Sequence, residues 1–121
     1  MRRSIGCWGD DGRDNAMSEY VQMTTTTGTR HDAEQIASEL VSRRLAGCVQ
    51  ISGPIESTFR WQGKVETAEE WICTVKTSRA QVDAIQKLLD EIHPYEVPEV
   101  IATPIVDGSA AYLRWLGEQL G

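Results

Sequence analysis

The sequence predicts an α+β domain, a four-stranded antiparallel sheet with helices on one face. Three observations lead to it. Strand-like and helix-like periodicities alternate in the order β-α-β-β-α-β, and one more helical stretch follows. Gln62-Gly63 separates two long alternating runs, the mark of a tight hairpin. At 121 residues the chain allows one domain with one core. That element order is the split-βαβ, ferredoxin-like arrangement, here extended by a C-terminal helix.

The first 17 residues are rich in Gly, Asp, Arg and Ser and carry no apolar period, so they are expected to be a disordered extension. Met17 sits where patterned sequence begins, which puts the domain at residues 18–121. Glu19 to Thr27 is β-branched and aromatic and reads as a strand that Gly28 breaks. Ala33, Ile36, Ala37, Leu40, Val41 and Leu45 then recur at helical spacing. Thr29 with Asp32 resembles a cap for this helix, and Gly47 is the expected stop. Cys48 to Ser52 opens a second strand, with Pro54 marking an edge or a bulge.

Ile55, Ser57, Phe59 and Trp61 alternate with polar residues up to Gln62-Gly63, and Lys64 to Thr77 is the return strand. On that strand Trp71, Cys73 and Val75 share one face. Ser78 with Gln81 predicts a capping box for a second helix, whose stripe is Val82, Ile85, Leu88, Leu89 and Ile92 and which Pro94 ends. Val100 to Val106 reads as the fourth strand, its Pro104 implying an edge or a bulge. Asp107-Gly108-Ser109 turns into a last helix with Tyr112, Leu113, Leu116 and Leu120. The strands carry apolar residues on both sides, more than one layer of helices covers, and this predicts an oligomer.

Charge and cysteine content narrow the partners. Twelve basic against 18 acidic residues give −6, which argues against nucleic acid. No apolar run approaches the roughly 20 residues of a membrane span, and the first residues lack the apolar stretch of a secretory signal. Three cysteines at irregular spacing fit a reducing compartment, so a cytoplasmic location is expected. No CxxC, HxH or HExxH is present, and His31 and His93 assemble no nucleophile and base, so an enzyme is not expected.

Three blocks carry a family resemblance: Leu45-Ala-Gly-Cys-Val49; Phe59-Arg-Trp-Gln-Gly-Lys-Val-Glu66 with Val75-Lys-Thr77; and His93-Pro-Tyr-Glu-Val-Pro-Glu-Val-Ile101, followed by Tyr112-Leu-Arg-Trp115. In this order the chain resembles the CutA divalent-cation tolerance family over about residues 20–120. The resemblance implies a ferredoxin-like fold, a homotrimer, and an association with copper and other divalent metals. It also implies a likeness in shape to the trimeric PII signalling proteins, which bind small effectors between subunits. One departure stands out: Thr25 occupies a position where some members carry a cysteine able to ligate a soft metal.

The candidate metal donors are His93, Glu96 and Glu99 on the proline-stiffened corner, together with Cys48. A histidine at a helix end equally serves the last carbonyls, and a cysteine serves as a small buried hydrophobe. Trp61, Lys76, Tyr95 and Trp115 are the candidate lining of an intersubunit cleft, with core or interface packing as the other reading of the aromatics. Lys76 is expected to pair with a glutamate of the corner. The function these readings support is a trimeric, cytoplasmic protein of metal-ion tolerance that binds copper, zinc or similar cations weakly or relays their level. A PII-like trimer with a small anionic effector, or a structural scaffold, is the alternative.

Overall fold

The computed structural model describes residues 19–121. The extension expected over residues 1–17 lies outside them. The elements are β1 (Tyr20–Thr27), α1 (Arg30–Ser42), β2 (Cys48–Trp61), β3 (Lys64–Ser78), α2 (Val82–Ile92), β4 (Ile101–Pro104) and α3 (Ala110–Gln119). The sheet runs β2-β3-β1-β4, and every pairing is antiparallel. This is the predicted α+β architecture with its extra terminal helix.

Alternation on β1 and β3 decides which face the helices cover. Val21, Met23, Cys73 and Val75 point to one side and are buried against Ile36 and Leu40 of α1 and Ile85, Leu88 and Leu89 of α2. Buried there, the Cys73 thiol donates to the Ala33 carbonyl, and burial pushes its pKa up to about 11, so it is a packing residue and not a nucleophile. Thr25 shares this inner face, and its buried hydroxyl has no hydrogen-bond partner among the described residues.

Helix α1 starts as expected, with the Thr29 hydroxyl accepting from the Asp32 amide at 3.1 Å. It stops earlier than Gly47. Arg44 takes the left-handed conformation at φ 61°, while its amide bonds to Val41 O and that of Leu45 reaches back to Leu40 O. Those bonds form a Schellman motif closed by a non-glycine residue. Gly47 has a different task, since a Cβ there would lie 2.5 Å from Leu116 Cδ1. The absent side chain lets α3 dock.

The Ser78–Gln81 capping box does not form. A single 3₁₀ turn, Arg79–Gln81, leads into α2, and Ser78 makes no side-chain cap. Pro54 sits at a register shift between Ser52 and Ile55 on edge strand β2, which therefore runs unbroken from Cys48 to Trp61. β4 is shorter than Val100–Val106: the strand is Ile101–Pro104, all four residues are exposed, and it is the other edge, with the Ile105 amide still donating to the Tyr20 carbonyl at 3.0 Å.

Helix α3 covers one end of the second face of the sheet. Gly117 of α3 lies against the Tyr20 hydroxyl, where a Cβ would stand 2.5 Å away, and Tyr20 points opposite to Val21. Arg44 holds the end of α3 by donating to the Glu118 and Gln119 carbonyls, both at 2.9 Å. A cation at a helix C-terminus satisfies carbonyls that lack intrahelical partners.

Candidate functional site

The opposite end of that second face is a cleft. Partners across the ladders share a face, so Thr26, Glu70, Glu66, Phe59 and Trp61 all point to it. The hairpin that forms one wall turns at Gln62 and Gly63, with φ of 50° and 81° and Trp61 opposite Lys64, as the two-residue loop requires. The other wall is the corner Pro94–Glu99 that follows α2.

The corner is tied down by its own side chains. His93 precedes a proline and is extended, at φ −72° and ψ 134°, so its ring leaves the helix axis. Its Nε2 lies 2.9 Å from the Thr26 carbonyl, and its Nδ1 accepts from the Tyr95 amide at 3.0 Å. A carbonyl only accepts and an amide only donates, so the ring is neutral with its proton on Nε2. The Tyr95 hydroxyl then donates to Glu70 Oε2 at 2.9 Å. Glu70 is only 8% exposed. Burial first, and the Glu70 hydrogen bond and charge after it, push the Tyr95 phenol up to about 12.

Burial also lowers the His93 pKa, outweighing the Thr26 carbonyl and the charges of Asp32 and Glu70 that act to raise it. The unfolded chain therefore takes up a proton on this histidine first. Stability supplied by the neutral ring is present above about pH 6.5 and is lost as pH falls through the lower folded value. Urea midpoints should fall between about pH 7.5 and 5.5, and His93→Gln should flatten that dependence while lowering stability at pH 7.5. An unchanged slope in the variant would show that the ring does not titrate with folding.

The cleft has a volume of about 1020 Å³. Four glutamates line it, Glu66, Glu70, Glu96 and Glu99, beside the rings of Phe59, Trp61 and Tyr95. Among the described residues that line it there is no lysine, arginine or histidine.

Of the residues singled out in the sequence, Trp61, Tyr95, Glu96 and Glu99 meet in this cleft. Cys48 and Lys76 do not. They face each other across β2 and β3, six residues along β3 from Glu70, about 20 Å at strand rise. Lys76 Nζ donates to Gln50 Oε1 at 2.8 Å, so the expected pairing with the corner is replaced by one within the sheet. Trp115 stacks on Tyr112, at 5.5 Å between ring centroids, and burial raises the Tyr112 phenol with Cys48 beside it. Both groups belong to the α3 end of the face.

Among the described residues no three His, Cys, Asp or Glu side chains converge as a metal site requires. Both His93 nitrogens are engaged, so an ion reaches that ring only by displacing a bond. Within one protomer the donors do not fit a tightly held resident metal.

Glu66, Glu70, Phe59 and Thr26 were not singled out by the sequence reading. Glu70 carried the faintest signal, a carboxylate on an otherwise covered stretch of strand, and its partner Tyr95 lies 25 residues away.

The CutA1 divalent ion tolerance model matches residues 21–119. The chain belongs to that family. The divalent-cation tolerance protein CutA of Thermus thermophilus is 39% identical over 105 residues, which cover 87% of this chain and 100% of the relative. A Xenopus laevis CutA homolog is 42% identical over 86 residues, 71% of this chain but only 57% of the relative, so the chain spans little more than half of that protein. The crystal structure of CutA1 from Oryza sativa superimposes with a TM-score of 0.83 at 33% identity, covering 89% of this chain and 97% of that one. A CutA from Archaeoglobus fulgidus, described as periplasmic, gives a TM-score of 0.81 at 33% identity over 84% and 98% of the two chains. The CutA1 resemblance read from the three sequence blocks is thus confirmed, and the fold agrees with CutA1 structures.

Proposed function

We propose that this chain is a homotrimeric protein of the divalent-ion response, not an enzyme, and that it draws cations into the cleft between the β2–β3 hairpin and the Pro94–Glu99 corner. The lining carries the reading: among the described residues it holds four glutamates and no basic side chain, on a chain of net charge −6. Carboxylates along a partly enclosed wall focus a negative potential that concentrates cations. Because the oxygens are spread over two walls, a single divalent ion meets few of them and keeps most of its water. Binding of copper or zinc is therefore weak, a response to abundance more than a storage site. The hard oxygens of Glu66, Glu96 and Glu99 replace His93 and Cys48 as the donors we favour. A cytoplasmic location accords with the unpaired Cys48 and Cys73. The alternative of a small anionic effector gains no support from this lining, where an anion meets like charge.

Calorimetry with Cu²⁺ and Zn²⁺ tests the reading. Dissociation constants weaker than about 1 µM are expected. Combining Glu66→Gln with Glu99→Gln should weaken binding about tenfold, as losing charged contacts does. Tight binding untouched by that pair would move the site elsewhere, and no binding at all would remove it.

A further inference from the structure

The Pro94–Glu99 corner is fastened to the sheet through one imidazole. His93 Nε2 lies 2.9 Å from the Thr26 carbonyl of β1, and Nδ1 accepts from the Tyr95 amide at 3.0 Å. The His93 and Tyr95 rings pack at 5.1 Å between centroids, and the Tyr95 hydroxyl reaches Glu70 Oε2 at 2.9 Å. Pro94 and Pro98 stiffen the chain on either side of Tyr95. A relay from Thr26 through His93 and Tyr95 to Glu70 thus holds the corner down.

That relay depends on one lone pair. Nδ1 accepts only while it carries no proton. A proton there turns the acceptor into a donor that faces the Tyr95 amide, donor against donor. The Nε2 bond survives, because that nitrogen donates in either state. Protonation therefore detaches the corner from the ring and leaves the ring on β1. The surrounding charges favour that outcome: Asp32 of α1 and Glu70 of β3 face the imidazole, and both attract a cation there. His93 also closes α2, its amide donating to the Leu89 carbonyl, and a helix C-terminus suits a positive charge. Tyr95, the titratable group packed on the ring, stays neutral, since its phenol is pushed up to about 12. These groups accommodate an imidazolium where it stands; the Tyr95 amide opposes it.

We propose that the Pro94–Glu99 corner is a proton-operated latch: one proton on His93 Nδ1 detaches the Tyr95 amide, draws the Tyr95 hydroxyl off Glu70 and loosens the corner while the rest of the domain stays folded. The device needs neither a ligand nor an exposed surface, because its parts are bonds within one chain. Unlike the loss of global stability with falling pH, this opening is local.

NMR of the ¹⁵N-labelled full chain, reading ring nitrogen shifts and amide exchange from about pH 7.5 to 5, tests it. At the upper end the ring should carry its proton on Nε2, and the Tyr95 amide should be protected from exchange. The ring takes up its second proton below about pH 6.5, since burial holds it neutral further down. In step with that, the protection factor of the Tyr95 amide should fall about tenfold or more, the effect of an amide losing its acceptor. Cys73 and Val75, in the core on β3, should stay protected throughout. His93→Gln offers a donor and an acceptor with no charge to gain, and should give Tyr95 the same protection at both ends of the range. A Tyr95 amide that stays protected while the ring titrates overturns the proposal, as does a proton found on Nδ1 at pH 7.5 or a ring still neutral at pH 5. Loss of protection at Cys73 and Val75 together with Tyr95 would mean global unfolding and no latch. An opening that persists in His93→Gln would assign it to another group and overturn it too.

Discussion

Replacing Gly53 by alanine should lower the stability of this chain by about 3 kcal/mol or more, the sum of backbone strain and overpacking. Gly53 sits at φ +151° inside the β2 bulge, a conformation side-chain-bearing residues rarely adopt. A Cβ there would stand 2.8 Å from Trp71 Cε3 and 3.0 Å from the Glu70 carbonyl oxygen. Neither neighbour gives way easily. The carbonyl is backbone of β3, and the Trp71 ring packs on the core with the Arg30 guanidinium 5.5 Å from its centroid. The informative comparison is Gly63→Ala at the hairpin tip, also at positive φ (+81°) but with nothing within 4 Å of the added carbon. That variant carries the backbone penalty alone, about 1 kcal/mol. Urea midpoints at constant m-value should therefore separate the two clearly. Equal losses would mean that the Trp71 contact yields and only the dihedral matters. Since Gly53 abuts Glu70, its substitution should also disturb the floor of the cleft.

The parts of this fold that were legible in the sequence are those decided by neighbours along the chain. The stripes of α1 and α2, the cap at Thr29 and the Gln62-Gly63 turn each depend on residues within a few positions of one another. Errors arose where a distant contact chose between local options. Gly47 looked like a helix stop, yet the stop is at Arg44, and Gly47 is small because Leu116 occupies its space. Ser78 and Gln81 had the spacing of a capping box, but a 3₁₀ turn intervenes, and Gln81 Nε2 donates to the Gly121 carbonyl instead. The site divided in the same way. Two prolines made the corner conspicuous, and Tyr95, Glu96 and Glu99 do enter the cleft. Its floor was hidden because alternation places Glu70 on a face without saying what lies over it. Lys76 shows the converse: its charge stood out, and a neighbouring strand's Gln50 satisfies it.

Sedimentation of the full chain should give a single species at about three times its 13.5 kDa, with no monomer at micromolar concentration, as for an obligate interface. The physical case begins with the two sheet edges. β2 is a long edge strand that continues into the hairpin, and β4 is a short one with all four residues exposed. Unpaired edges of this kind invite association unless another chain covers them. Large apolar side chains stand exposed beside both: Phe59, Trp61 and Val65 on the hairpin, and Val97, Ile101 and Val106 around β4. Edges on opposite sides of one sheet make a head-to-tail contact, and a closed ring leaves none open. Trp61 is 41% exposed in the protomer and lines the cleft, so a neighbour that buries it also closes the site. Tryptophan buried at the centre of an interface is typically worth 2 kcal/mol or more, about a thirtyfold change per contact. Trp61→Ala should accordingly expose a concentration-dependent dissociation that the parent chain lacks, and weaken cation binding in the same samples. Val41→Ala, which trims an exposed apolar side chain on α1 in the helix layer and not on the hairpin or β4, should leave the mass unchanged. A stable folded monomer of the parent chain would overturn the assembly, and a trimer indifferent to Trp61→Ala would move the interface away from the hairpin.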